Sequence, residues 1–170
     1  MDFFGDGSFY VLDAPGHAIG HLAALVRTTD NPSSFLFFGG DMYHHLGELR
    51  PSPYMSLPKL ARVQNVDQSI YMCPGELVEK LQQTRGRSVN EPILDPSMGL
   101  SIPETIRTIQ KAQHLDAKEE IFFLSAHDDA ILGTVDLFPL EVNYWHQKGW
   151  RAALQWTFLR DFFKSHSGTT

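Results

Sequence analysis

Ala14-Pro15-Gly16-His17-Ala18-Ile19-Gly20-His21, residues 14–21, is the stretch on which the reading of this chain turns. The apolar run Phe9-Tyr10-Val11-Leu12 before it has the character of a strand. Pro15 and Gly16 then force an abrupt turn. His17 stands just beyond the turn and His21 follows one helical turn's distance later. Pro-Gly-His after a strand holds an imidazole at the strand end on a short, stiff loop. A metal ligand needs that placement, because a ligand on a mobile loop loses ordering entropy when it binds. The plainer alternative is a turn with two histidines after it, and two later stretches decide between them.

Working outward, residues 8–13 read as a strand and residues 22–28 as a second, buried one. The cluster Thr29 to Ser34 is a turn, which makes the pair with the next strand a hairpin with a longish loop. Residues 35–38, FLFF, form a third strand, continuous in its hydrophobicity as when both faces are covered. It ends in Gly39-Gly40-Asp41. Three prolines make residues 51–58 loop. Residues 75–84 read as a helix, and residues 85–102 as loop again. Ser101 to His114 reads as a helix with Ser101 at the N-cap and Ile102, Ile106 and Ile109 on one face. Residues 120–125, EIFFLS, are a fourth strand, followed directly by Ala126-His127-Asp128-Asp129. A final helix is expected from Trp145 to Phe163, interrupted or started at Gly149, with its tryptophans in packing. The folded unit is taken as residues 1–164 and the tail 165–170 as disordered. The mixture gives an α/β (α+β) class with a layer of helix on a sheet.

A chain of 170 residues that is 42% hydrophobic can bury a real core. A net charge of −6 without a basic run argues against nucleic acid or an anionic membrane as partner. The lone cysteine, Cys73, rules out an internal disulfide and suits a reducing compartment. The first residues carry no signal-peptide pattern and no window reaches the length of a membrane span, so a cytoplasmic location is expected.

Three strand ends carry polar groups: His17 after the first strand, Asp41 after the third, His127 after the fourth. Loops at one edge of a sheet can converge on one pocket. Two imidazoles and a carboxylate suit zinc or another divalent transition metal. The two oxygens of Asp41 allow it to bridge two ions.

These three stretches, PGHAIGH, FGGDMYHH and SAHD in this order, resemble the C-terminal half of the metallo-β-lactamase superfamily, and its lactonase-like fungal members in particular. The resemblance covers nearly the whole chain. It implies that His17 and His127 bind metal and that Asp41 is the catalytic bridging ligand between up to two zinc ions. It implies that His21 stands behind His17 and supports it by packing or hydrogen bonding. It also implies that a polar residue about three positions past the bridging carboxylate touches substrate, which makes His44 a candidate and Tyr43 its neighbour in that role. The alternative for the histidine pair is a solvated loop. Asp128 is expected either to orient His127 or to cap the helix that follows, capping being the plainer reading. His114, His146 and His166 receive no role, and Cys73 is expected to be a buried or loop thiol.

The family's His-x-His-x-Asp-His stretch, which supplies most of the ligands, does not occur here: no two histidines are spaced His-x-His and none precedes His17. It is expected upstream of residue 1. With Asp41 shared, each ion has two protein ligands, one short of the usual three. The resemblance implies half of an αββα sandwich, one mixed sheet with helices packed on one face. Its inner face would then be an open apolar surface, covered by a second copy in a homodimer or by an N-terminal partner piece. If the site is complete, the implied activity is opening of a lactone, lactam or ester bond of a small molecule, in secondary metabolism or detoxification. The rival is a truncated, non-catalytic domain of the same family.

Overall fold

The computed structural model describes residues 1–163. The tail expected at 165–170, with the final residue of the unit set at 164, lies outside the described residues. Six strands form: β1 (Phe9–Asp13), β2 (Leu22–Asp30), β3 (Ser33–Phe38), β4 (Leu60–Gln64), β5 (Ile70–Pro74) and β6 (Ile121–Leu124). Three helices accompany them: α1 (Gly75–Thr84), α2 (Ile102–Asp116) and α3 (Trp150–Leu154). Short 3₁₀ turns occupy Leu46–Glu48, Asp129–Ile131 and Thr157–Asp161. None of these helices is long and apolar enough to cross a membrane.

The main sheet runs β1-β2-β3-β6, antiparallel except for the parallel pair β3–β6. That order brings three strand ends to one edge. Two antiparallel steps make β1 run in the same direction as β3, and β6 runs parallel to β3. The C-terminal ends of β1, β3 and β6 therefore share an edge, and these are the ends that precede His17, Asp41 and His127.

Alternation along the strands splits the side chains between two faces. On one face Ala23, Phe37, Ile121 and Phe123 pack with Ile109 and Ala112 of α2, and the same cluster takes in Ala61, Val63 and Cys73 of the β4–β5 hairpin. On the other face Leu36 and Phe122 pack with Trp145, Trp150 and Leu154. Trp145 is fully buried there and its indole N–H donates to Thr28 Oγ1 at 3.1 Å. This second cover does not extend over the whole face. Leu22 and Phe38 on that face remain 55% and 42% exposed. Phe3 and Phe4 gather around Phe9, at the other end of the β1–β2 pair from Leu22, and are also exposed. The apolar face is closed over Leu36 and Phe122 and open at Leu22 and Phe38.

Two expectations need correction. The β4–β5 hairpin forms a second, two-stranded sheet where no strand was read. The final helix is shorter than expected, beginning after Gly149 and ending at Leu154. Its carbonyls are diverted: that of Ala153 accepts from Arg62 Nη1 and Thr157 Oγ1, and that of Gln155 from Arg50 Nη1. The backbone tightens into the 3₁₀ turn at Thr157–Asp161.

Candidate metal centre

The loop that carries His17 is tied at both ends and clamped to α2. Ala14 N–H donates to the His21 carbonyl at 3.1 Å, which pinches residues 14–21 into a closed loop. The Gly16 carbonyl accepts from Ser101 N–H at 2.9 Å, the His17 carbonyl from Leu100 N–H at 3.0 Å, and the Pro15 carbonyl from Thr108 Oγ1 at 2.7 Å. Ser101 holds the expected N-cap position, but its hydroxyl does not cap the helix. Gly16 has φ +128°, and a Cβ there would overlap the backbone nitrogen of Thr105. Only glycine allows the loop to sit this close to the helix.

The Asp41 and His127 loops are zipped together. The parallel ladder continues past the named strands, with Gly39 N–H donating to Leu124 O at 2.9 Å and Ala126 N–H to Gly40 O at 3.2 Å. Gly40 turns at φ +55°, and a Cβ on it would press on His21 Nε2.

At this edge His127 Nε2 lies 2.9 Å from Asp41 Oδ1, and His17 Nε2 lies 3.8 Å from Asp41 Oδ2. One carboxylate thus faces two imidazoles, one on each oxygen. His44 stands between the two rings, its centroid 5.0 Å from that of His17 and 4.8 Å from that of His127. Burial, the largest influence on it, lowers the pKa of His44 below the ordinary imidazole value, which favours the neutral, ligating form. Asp41, His44 and His127 each offer a ligand atom within 4.8 Å of the others. The Nδ1 of His17 is buried with no hydrogen-bond partner, so Nε2 is its working nitrogen. The donors are two-sided, imidazole and carboxylate, and they fit a divalent transition metal.

His21 lies behind this cluster. Asp41 N–H donates to its Nε2 at 3.1 Å, so the ring proton sits on Nδ1 and is donated to the Ala14 carbonyl at 3.0 Å. Both nitrogens are used within the protein, and His21 locks the Asp41 turn to the His17 loop. Tyr43 lies in the core with no exposed surface, and burial pushes its phenol far above the usual range. Its ring packs on Gly39, and its hydroxyl has no partner. Asp128 caps the 3₁₀ turn that follows, accepting from Ala130 N–H at 3.1 Å, with its carboxyl raised by burial.

Three supporting residues were not singled out from the sequence. Ser125 Oγ accepts from His127 N–H at 3.3 Å and donates to the Tyr43 carbonyl at 3.0 Å. Glu48 is buried, and its Oε2 accepts from His44 N–H at 3.2 Å. His45 uses Nδ1 to accept from Gly47 N–H and Nε2 to reach Asp161 at 3.0 Å. A polar residue directly after a strand was a readable signal for Ser125; the other two depend on contacts distant in sequence or on burial.

The space beside His44 and His127 is a cleft of about 70 Å³. A larger cavity, about 870 Å³, lies elsewhere, between α2 and residues 87–96, and is lined by Tyr54, Leu94, Ile106 and His114. None of the four cluster residues lines it.

No family model matches the chain, and no solved structure does. Curated relatives do match. A gamma-lactamase of Fusarium pseudograminearum is 41% identical over 95% of this chain and 40% of its own length. A metallo-hydrolase of Annulohypoxylon moriforme is 43% identical over 95% of this chain and 42% of its own length. A gamma-lactamase of Gibberella moniliformis is 43% identical over 65% of this chain and 47% of its own length. The chain spans about two fifths of the length of the first two relatives. Read with the strand-end histidines and the aspartate between them, these likenesses place the chain in the metallo-β-lactamase superfamily.

Proposed function

We propose that this chain carries the metal-holding portion of a hydrolase that opens a lactam, lactone or ester bond in a small molecule, in secondary metabolism or detoxification within a reducing compartment. One observation carries the reading: His17, Asp41 and His127, far apart in sequence, meet at one rim with Asp41 turned to both imidazoles at 3.8 and 2.9 Å. The names of the relatives, gamma-lactamase and metallo-hydrolase, support a hydrolase, and the first of them favours a lactam.

His17 with Asp41 would hold one ion, and Asp41 with His127 the other. Zinc is the ion that such donors favour, and when bound it supplies a hydroxide near neutral pH. The chain's own part is positioning. His21 fixes the Asp41 backbone, and the clamp of residues 15–17 on α2 fixes His17. Ser125 holds the backbone of His127.

A second reading is a non-catalytic domain that works within an assembly. The cleft at the cluster, about 70 Å³, is well below the several hundred Å³ of an ordinary ligand pocket. The open face at Leu22 and Phe38 is a surface that a second copy, or further polypeptide, would cover. Assay of the purified chain with zinc against γ-lactams, lactones and aryl esters tests the two readings, with carboxylate release as the signal. Turnover that disappears in Asp41→Ala supports the hydrolase. Tight metal binding without turnover of any of these supports the second reading.

A further inference from the structure

We infer that His44 is a metal ligand, and that Asp41, His44 and His127 form a three-donor site for one divalent ion within this chain. The inference rests on the reading that this rim holds metal, and it changes the ligand count. A zinc site that keeps one position open ordinarily has three protein donors, and these three residues would supply that number.

The geometry sets His44 beside Asp41 and His127 as a donor. Its ligand atom, one from Asp41 and one from His127 all lie within 4.8 Å of each other. Ligands about 2.0–2.1 Å from a tetrahedral zinc stand roughly 3.4 Å apart. The difference is within reach of side-chain rotation, with no movement of the backbone. His127 Nε2 and Asp41 Oδ1 are already closer than that, at 2.9 Å.

The loop delivers His44 to this place rather than leaving it loose. Tyr43 before it is fully buried, its own N–H is held by Glu48, and His45 after it is anchored through both ring nitrogens. Between these anchors the His44 ring makes no hydrogen bond or ion pair among the described residues. It faces two other imidazoles and a carboxylate, a setting in which a shared cation is the natural partner. His17 stands on the other carboxylate oxygen, Oδ2, outside this trio. The site so formed has two imidazoles, one carboxylate and an open fourth position.

Isothermal titration of the chain with zinc, and the visible spectrum of its Co(II) form, test this. Wild type is expected to take up a first equivalent tightly. His44→Ala and His44→Gln are expected to weaken that step at least about 100-fold, the upper end of what loss of a mere supporting contact costs, and to change the Co(II) spectrum. His146→Ala, an exposed histidine outside the cluster, is expected to leave the first step within about threefold, a loss well below one supporting contact. Circular dichroism of the variants checks that they fold, and His44→Gln covers the case in which the alanine variant does not. If wild type binds zinc and both His44 variants bind it equally well, His44 is not a ligand and the broader reading stands. If wild type binds no zinc, the metal centre itself falls and this inference with it.

Discussion

Tyr43 shows how far a neighbouring position in sequence can differ in role. It adjoins His44, yet its ring is buried and its hydroxyl unpartnered, while His44 faces the cluster. A buried hydroxyl without a hydrogen bond costs stability because its water is not replaced. Tyr43→Phe keeps the ring packing and removes that cost. The variant is expected to be more stable by about 1 kcal/mol in urea unfolding; a loss of similar size would mean that the hydroxyl has a partner. The histidines show the same divergence. His21 and His45 have both nitrogens engaged within the protein, whereas His17, His44 and His127 turn nitrogens to one another and to Asp41. The expectation of His21 behind His17 came from the family resemblance of PGHAIGH. Nothing local in the pair His44-His45 tells which ring is anchored, because the anchor is Asp161, far away in sequence.

At the scale of elements, the runs FYVL, FLFF and IFFL read as strands because continuous apolar sequence between turns has little else to do in a chain of this size. The hairpin β4–β5 escaped notice because only Ala61 and Val63 alternate inward on β4, with Arg62 and Gln64 between them. Its burial comes from the cluster it joins. The pair Arg50–Asp116 was invisible for the same reason. Arg50 Nε and Nη2 meet the two oxygens of Asp116 at 2.7 and 2.5 Å, both residues are buried, and Arg50 Nη1 also reaches the Gln155 carbonyl. The pair ties the loop after Leu46–Glu48 to the last residue of α2 and to the end of α3. Removing one partner leaves an uncompensated charge in the core. Asp116→Ala is therefore expected to cost about 3–5 kcal/mol in chemical unfolding, and a loss below 1 kcal/mol would show that water replaces the carboxylate.

For the whole molecule, sheet order does the work that no single stretch does. Because β1, β3 and β6 point the same way, three separate strand ends deliver two imidazoles and a carboxylate to one edge. The sequence carried the residues and their strand-end positions; the convergence had to come from strand direction. The open face at Leu22, Phe38 and the Phe3-Phe4-Phe9 group was expected from the resemblance to half of a sandwich. Its closure over Leu36 and Phe122 was not: the packing of Trp145 and Trp150 is an expectation of the sequence, but the face they cover is set by the sheet. The central claim, that His17, Asp41 and His127 hold metal together, is tested most directly by ring ¹⁵N–¹H spectra of the histidines during zinc titration. The account predicts that the nitrogens of His17 and His127 both shift by the second equivalent of zinc and that neither does in Asp41→Ala. Rings at 17 and 127 that keep their wild-type metal-free shifts at saturating zinc would contradict it.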